Sequence, residues 1–264
     1  LARVTAVSLK ECKQAGEKIA MLTAYDYPSA KILDEAGIDV ILIGDSVGMA
    51  VMGRSDTLGV TMDEMIHHVK MVSCAAGHAL VVADMPFLSY QVSPEEALRN
   101  AGRFVAEGGA QAVKLEGAAD KFGDAIRAIL HAGIPVMGHI GLTPQSVHQI
   151  GGYKVQGRSS ESRIRLKEEA RGLEQAGCFA IVLECIPGNL AAEITAMMSI
   201  PTIGIGAGAA CDGQVLVLHD MLGWGATRFC KTFGDVRGLM CQACQDYVQA
   251  VRGGTFPGKE HEFS

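Results

Sequence analysis

Eight short apolar runs recur along the chain, and their hydrophobicity is continuous rather than alternating. They are Ile19–Ala24, Val40–Gly44, Ala79–Ala83, Ala112–Leu115, Ile134–Gly138, Phe179–Leu183, Thr202–Ile205 and Val215–Leu218. A strand without alternation is buried on both faces, the condition of a parallel sheet flanked by helices. Helix-like stretches lie between the runs: Tyr27–Ala36, Met62–Ala76, Pro94–Glu107, Ala118–His131, Glu161–Ala176 and Asn189–Met198. Five of them stop at Gly37, Gly77, Gly108, Gly133 and Gly177, shortly before the next run. Glycine accepts the left-handed backbone that closes a helix, so these are stop signals. Ser93-Pro94-Glu95-Glu96 is a helix start, with a capping hydroxyl, proline in the first turn and acids at the positive end of the dipole.

Eight β-then-α units in 264 residues predict an α/β fold, a (β/α)8 TIM barrel, which typically takes about 250 residues. The expectation is one catalytic barrel domain over 1–264. A doubly wound sheet competes through Gly204-Ile-Gly206-Ala-Gly208-Ala209, a loose dinucleotide fingerprint. It falls near the seventh run instead of the first, and no acid falls about 20 residues on at the end of a following strand. A chain 48% hydrophobic and 20% charged can bury a large core, which excludes disorder. With 29 acids, 23 bases and no basic cluster, nucleic acid is not an expected partner. The uncharged stretch Ile194–Cys211 is broken by Pro201, Gly204, Gly206 and Gly208, so it reads as strand and loop rather than a membrane span. Lys10, Glu11, Lys13, Glu17 and Lys18 leave no apolar signal core near the start. Eight scattered cysteines do not make a disulfide framework, so the expected location is cytoplasmic. Cys241 and Cys244, in a predicted C-terminal helix without a second pair, are weak metal or redox candidates.

The residues at the C-terminal end of each run carry the functional information. Val40–Gly44 leads into Asp45-Ser46, and Ala79–Ala83 into Asp84. Ala112–Leu115 contains Lys114 and leads into Glu116; Ile134–Gly138 leads into His139, and Phe179–Leu183 into Glu184. In a barrel these positions converge on the C-terminal face, where active sites form. Packed carboxylates repel one another unless a cation intervenes, and oxygen-only ligands suit Mg²⁺. One His among several carboxylates is a poor zinc site, so His139 is a candidate for positioning a substrate. Lys114 lies on the same strand face as Glu116 and suits an anionic substrate, or an ion pair with a neighbouring carboxylate. The other reading of the whole set is a ring of salt bridges closing the barrel.

These residues sit in longer stretches that resemble the ketopantoate hydroxymethyltransferase family. The stretches are Thr23-Ala-Tyr-Asp26, Gly44-Asp-Ser-Val-Gly-Met49, Ala83-Asp-Met-Pro-Phe87, Val113-Lys-Leu-Glu-Gly117 and Gly138-His-Ile-Gly-Leu-Thr-Pro-Gln-Ser146. Further on come Gly151-Gly-Tyr-Lys-Val-Gln-Gly-Arg158, Leu183-Glu-Cys-Ile-Pro187, Ile203-Gly-Ile-Gly-Ala-Gly208 and Cys211-Asp-Gly-Gln214. The chain departs from the family's usual residues at Gly59, Thr227 and Glu262, in loops and tail. The resemblance implies transfer of a hydroxymethyl group from 5,10-methylenetetrahydrofolate to 3-methyl-2-oxobutanoate, giving 2-dehydropantoate, the first committed step of pantothenate synthesis. It further implies Mg²⁺ held by Asp45, Asp84 and Glu116, and substrate contacts from Asp45, Ser46, Asp84 and Lys114. Glu184 is implied as general base, and a homodecamer as the assembly. The rival is another Mg²⁺-dependent enolate chemistry of the phosphoenolpyruvate mutase and isocitrate lyase kind. Those enzymes carry a Lys-Cys-Gly-His loop that this sequence lacks.

Overall fold

Eight strands, each parallel to its neighbours, close in sequence order into a barrel. They are β1 (Ile19–Thr23), β2 (Val40–Ile43), β3 (Leu80–Asp84), β4 (Ala112–Lys114), β5 (Val136–Gly141), β6 (Ala180–Glu184), β7 (Thr202–Ile205) and β8 (Gly213–Leu216). Closure is made by β1 on β8, with Ile19 opposite Gly213 and Leu22 opposite Leu216. The structure is a computed structural model and describes residues 2–225 and 229–263, so Thr227 lies outside it.

The chain divides into two compact units, 1–217 and 218–264. The first holds the barrel with α1 (Ala6–Ala15), α2 (Tyr27–Glu35), α3 (Val47–Ala50), α4 (Met62–Ala75), α5 (Pro94–Ala106), α6 (Ala119–His131), α7 (Val147–Ile150), α8 (Ser160–Ala176) and α9 (Gly188–Met197). On the outside α2 packs on α4, α4 on α5, α5 on α6 and α6 on α8. The second unit holds α10 (Leu218–Met221) and α11 (Val236–Arg252). Cys241 and Cys244 lie on α11 as free, exposed thiols.

The apolar runs locate all eight strands, with shifts at the ends. The eighth begins at Gly213, which an apolar-run criterion passes over. A Cβ there would stand 2.6 Å from the Ile19 carbonyl oxygen, so the β1–β8 approach requires glycine. The fifth continues to Gly141, which puts His139 inside the strand. The start of α5 obeys its sequence signal: Ser93 Oγ accepts from the Glu96 amide at 3.2 Å. Helix α1 lies outside the eight β-then-α units. Its Leu9 is fully buried among Met21, Val40, Leu80, Ala180 and Val215. Lys13 Nζ pairs with Asp212 Oδ2 at 2.7 Å, and that carboxylate accepts the Thr202 amide at 2.8 Å. Asp212 precedes β8 and Thr202 opens β7, so α1 lies across the N-terminal mouth.

The core explains where the polar side chains emerge. Leu80 and Val82 of β3, Ala112 of β4, Met137 of β5, and Ala180 and Val182 of β6 belong to one buried cluster filling the barrel. Strand side chains repeat every second residue. Asp84, Lys114, His139 and Glu184 therefore continue the inward series, one layer nearer the C-terminal face.

Candidate active site

Asp45, Asp84, Lys114, Glu116 and His139 are all at least 95% buried, and Glu184 retains 15% side-chain exposure. Lys114 Nζ stands 2.7 Å from Asp84 Oδ1. The other Asp84 oxygen, Oδ2, accepts the Asp45 main-chain N–H at 3.3 Å. Lys114 also donates to His139 Nδ1 at 3.3 Å. An ammonium can only donate, so Nδ1 is the accepting nitrogen and the ring proton belongs on Nε2. Nε2 faces Glu184 Oε2 at 3.2 Å, outside hydrogen-bond geometry. Glu116 Oε1 lies 3.5 Å from His139 Nδ1. Ser46 shares a 2.8 Å hydrogen bond with the Tyr25 hydroxyl beside Asp45. The residues singled out in the sequence thus fall into one connected group, in which Lys114 makes an ion pair with a neighbouring carboxylate, Asp84.

Two residues of this network carry no strand-end signal. Gln145, on the turn after β5, donates through Nε2 to Asp45 Oδ2 and to the Met85 carbonyl, each at 2.9 Å. Its main-chain N–H donates to Glu116 Oε2 at 3.0 Å. The Tyr90 hydroxyl, from the loop after β3, has one proton to share between Gln145 Oε1 at 2.8 Å and the Glu116 carbonyl at 3.0 Å, and it accepts the Glu116 amide at 3.2 Å. The Thr143-Pro-Gln-Ser146 turn is visible in the sequence, but its reach to Asp45, 100 positions away, is not.

Four carboxylates share one ammonium, and this imbalance sets the electrostatics. Burial, reinforced by the negative charge of Asp84, lifts the Asp45 carboxyl to about 7 against partial relief from Lys114, Gln145 and Thr57. Burial and the Asp45 charge lift Glu116 well above the usual carboxylate range. Burial opposes the Lys114 ammonium, but Asp84, Glu116 and Asp45 outweigh it and hold its pKa above the ordinary lysine value. The group is short of positive charge, and its Asp and Glu donors are hard oxygens of the kind Mg²⁺ selects. Among the described residues no three His, Cys, Asp or Glu side chains group tightly enough to cage a metal alone. Mg²⁺ does not need such a cage, since it commonly takes one or two carboxylates and fills its shell with water and substrate oxygens. An open groove of about 590 Å³ lies elsewhere, between Leu58–Asp63 and Pro86–Ser89, and includes none of these side chains.

Solved structures of like fold include a phosphoenolpyruvate phosphomutase from Streptomyces platensis subsp. rosaceus, with TM-score 0.66 and 17% identity over 98% of this chain and 92% of that one. A 2,3-dimethylmalate lyase gives TM-score 0.62 and 20% identity over 98% and 91%. At those identities the likeness concerns the barrel alone. The sequence comparisons reach further. A relative from Syntrophomonas wolfei, named 3-methyl-2-oxobutanoate hydroxymethyltransferase, is 57% identical over 100% of this chain and 96% of its own length. One from Carboxydothermus hydrogenoformans with the same name is 56% identical over 99% and 96%. The family profile described as ketopantoate hydroxymethyltransferase matches residues 3–259. The chain belongs to the ketopantoate hydroxymethyltransferase family of enzymes.

Proposed function

We propose that the chain transfers a one-carbon unit from 5,10-methylenetetrahydrofolate to C3 of 3-methyl-2-oxobutanoate, with water supplying the hydroxyl oxygen, and so opens pantothenate synthesis. The observation that supports this is the convergence of Asp45, Asp84, Lys114, Glu116, His139 and Glu184, from five consecutive strands, into one cluster in which all but Glu184 are buried.

The reaction requires C3 to lose its proton while charge collects on the neighbouring keto oxygen. Asp45 and Asp84 would hold Mg²⁺, with the Glu116 charge completing the site. Bound there, the ion would supply the positive charge that makes the C3 proton acidic. Lys114 has three N–H donors. Two face Asp84 and His139, and the third is available to the substrate carboxylate. Ser46, which adjoins Asp45 and is held by Tyr25, supplies a second donor. Glu184 is the partly exposed carboxylate of the group and takes the proton from C3. His139 accepts from Lys114 and faces Glu184 at 3.2 Å, so it positions the substrate-holding group beside the base. The family resemblance also supports a homo-oligomer, a decamer, working in the cytoplasm.

The test is product formation from the keto acid and the folate, monitored by mass spectrometry with Mg²⁺ and with excess chelator. Conversion to 2-dehydropantoate that stops with chelator and returns with Mg²⁺ is expected. Full turnover in chelator would refute the metal assignment, and no turnover with Mg²⁺ present would refute the reaction.

A further inference from the structure

We infer that Gln145 is a positioning residue that makes Asp45 and Glu116 each present a single carboxylate oxygen to the ligand, with Tyr90 locking its amide. This role rests on the reading of Asp45, Asp84 and Glu116 as the residues that hold a divalent cation.

The amide orientation is decided by its neighbours. The Met85 carbonyl can only accept, so the side-chain atom 2.9 Å from it is the nitrogen. The second N–H of that nitrogen goes to Asp45 Oδ2. Oε1 is then the acceptor for the Tyr90 hydroxyl and for Gln91 Nε2, at 2.8 and 3.1 Å. With the main-chain N–H committed to Glu116 Oε2, one residue ties together the chain leaving β2, β3 and β4. Every polar valence of the buried amide is used, and a fully satisfied buried network is a rigid one.

The consequence is a choice between oxygens. Asp45 Oδ2 and Glu116 Oε2 are occupied by Gln145, which leaves Oδ1 and Oε1 as the presenting atoms. An N–H fixed on one oxygen sets the rotation of each carboxylate and takes up one of that oxygen's lone pairs, which favours binding through the other oxygen and leaves coordination positions for water and substrate oxygens. Tyr90 is itself fixed: it is 2% exposed, its ring packs edge-on against Phe122 at 5.3 Å, and its hydroxyl accepts the Glu116 amide. Partners that orient ligating groups typically account for about 10–100-fold in metal affinity.

The experiment is Mn²⁺ titration, read by electron paramagnetic resonance, of the full-length chain as wild type, Gln145→Ala and Tyr90→Phe. No substrate is present, so the readout is independent of activity. Gln145→Ala should weaken Mn²⁺ binding about 10–100-fold while the circular dichroism spectrum stays that of the wild type. Tyr90→Phe, which keeps both amide N–H bonds, should also weaken it, but less than Gln145→Ala does. A purely structural role would lower the melting temperature and leave the Kd of the folded protein unchanged, and that result overturns the inference. If Gln145→Ala does not fold, Tyr90→Phe decides alone, and an unchanged Kd overturns the inference. A wild type that binds no Mn²⁺ overturns the cation reading and the positioning role together, whereas wild-type binding with an unaffected Gln145→Ala overturns only the latter.

Discussion

Asp45→Asn should make the metal-free protein more stable as it inactivates it. The carboxyl is fully inside the barrel beside Asp84, and its pKa stands at about 7 against 3.8 for an unburied group. A folded value above the unfolded one means that the proton stabilises the native state. That stability is fully present below about pH 4 and is lost as pH rises through about 7. At pH 8 the ionised carboxylate therefore costs about 4 kcal/mol relative to a neutral group in the same place. Asn supplies that neutral group with the same outline, and its Oδ1 can still accept from Gln145 Nε2. Lys114 loses one of three surrounding negative charges, so the expected net gain at pH 8 is about 2–4 kcal/mol. The gain should shrink to near zero at pH 4. The assay is urea unfolding by circular dichroism in excess chelator at pH 4, 6 and 8, at fixed protein concentration so that assembly does not shift the comparison. Added Mg²⁺ should stabilise the wild type and leave Asp45→Asn unchanged. A difference independent of pH, or a variant less stable at pH 8, would refute the reasoning.

Lys114→Met removes the one ammonium from the buried carboxylates, and breaking such a pair costs about 3–5 kcal/mol. It should also raise the KM for the keto acid more than that for the folate, and an unchanged keto-acid KM would confine Lys114 to its ion pair with Asp84. Gly141→Ala places a Cβ 2.2 Å from the Glu184 carbonyl oxygen, at a backbone φ of 96°. Neither strand can give way without moving Glu184, so kcat should fall with stability, by at least about 1–3 kcal/mol in the latter; wild-type values of both would contradict the contact. Leu9→Ala opens a cavity at the opposite mouth and should cost about 2–5 kcal/mol by denaturant unfolding, with kcat at 25 °C unchanged.

Much of this architecture is legible in the sequence because barrel strands and barrel sites obey the same period. Val82 and Asp84, Ala112 and Lys114, Met137 and His139, and Val182 and Glu184 are successive inward positions, apolar in the core layer and polar in the next. The apolar runs and the residues that end them therefore point to the same place in three dimensions. Gln145 escapes such a pattern because it hangs from a turn, where no periodicity says which way a side chain points. Its importance lies in hydrogen bonds to residues 29 to 100 positions away. Tyr90 escapes for the same reason. Helix α1 gives little signal because it precedes the first β-then-α unit and buries only Leu9, too little for a strong apolar stripe. The eighth strand is displaced from its apolar run because its first residue is a glycine selected by the approach of β1, a demand of closure that a local pattern does not contain.

Catalysis on this account turns on one step: the chain's own carboxylate, Glu184, removes the C3 proton of the keto acid. Proton exchange measures that step apart from one-carbon transfer. The protein is incubated with 3-methyl-2-oxobutanoate in D₂O, without folate, and the C3 proton signal is monitored by nuclear magnetic resonance. Wild type with Mg²⁺ should lose the signal, and Glu184→Gln, which preserves side-chain volume, should exchange about 10²–10⁴-fold more slowly. Exchange by Glu184→Gln at the wild-type rate, with a lowered melting temperature as its only defect, would contradict the account.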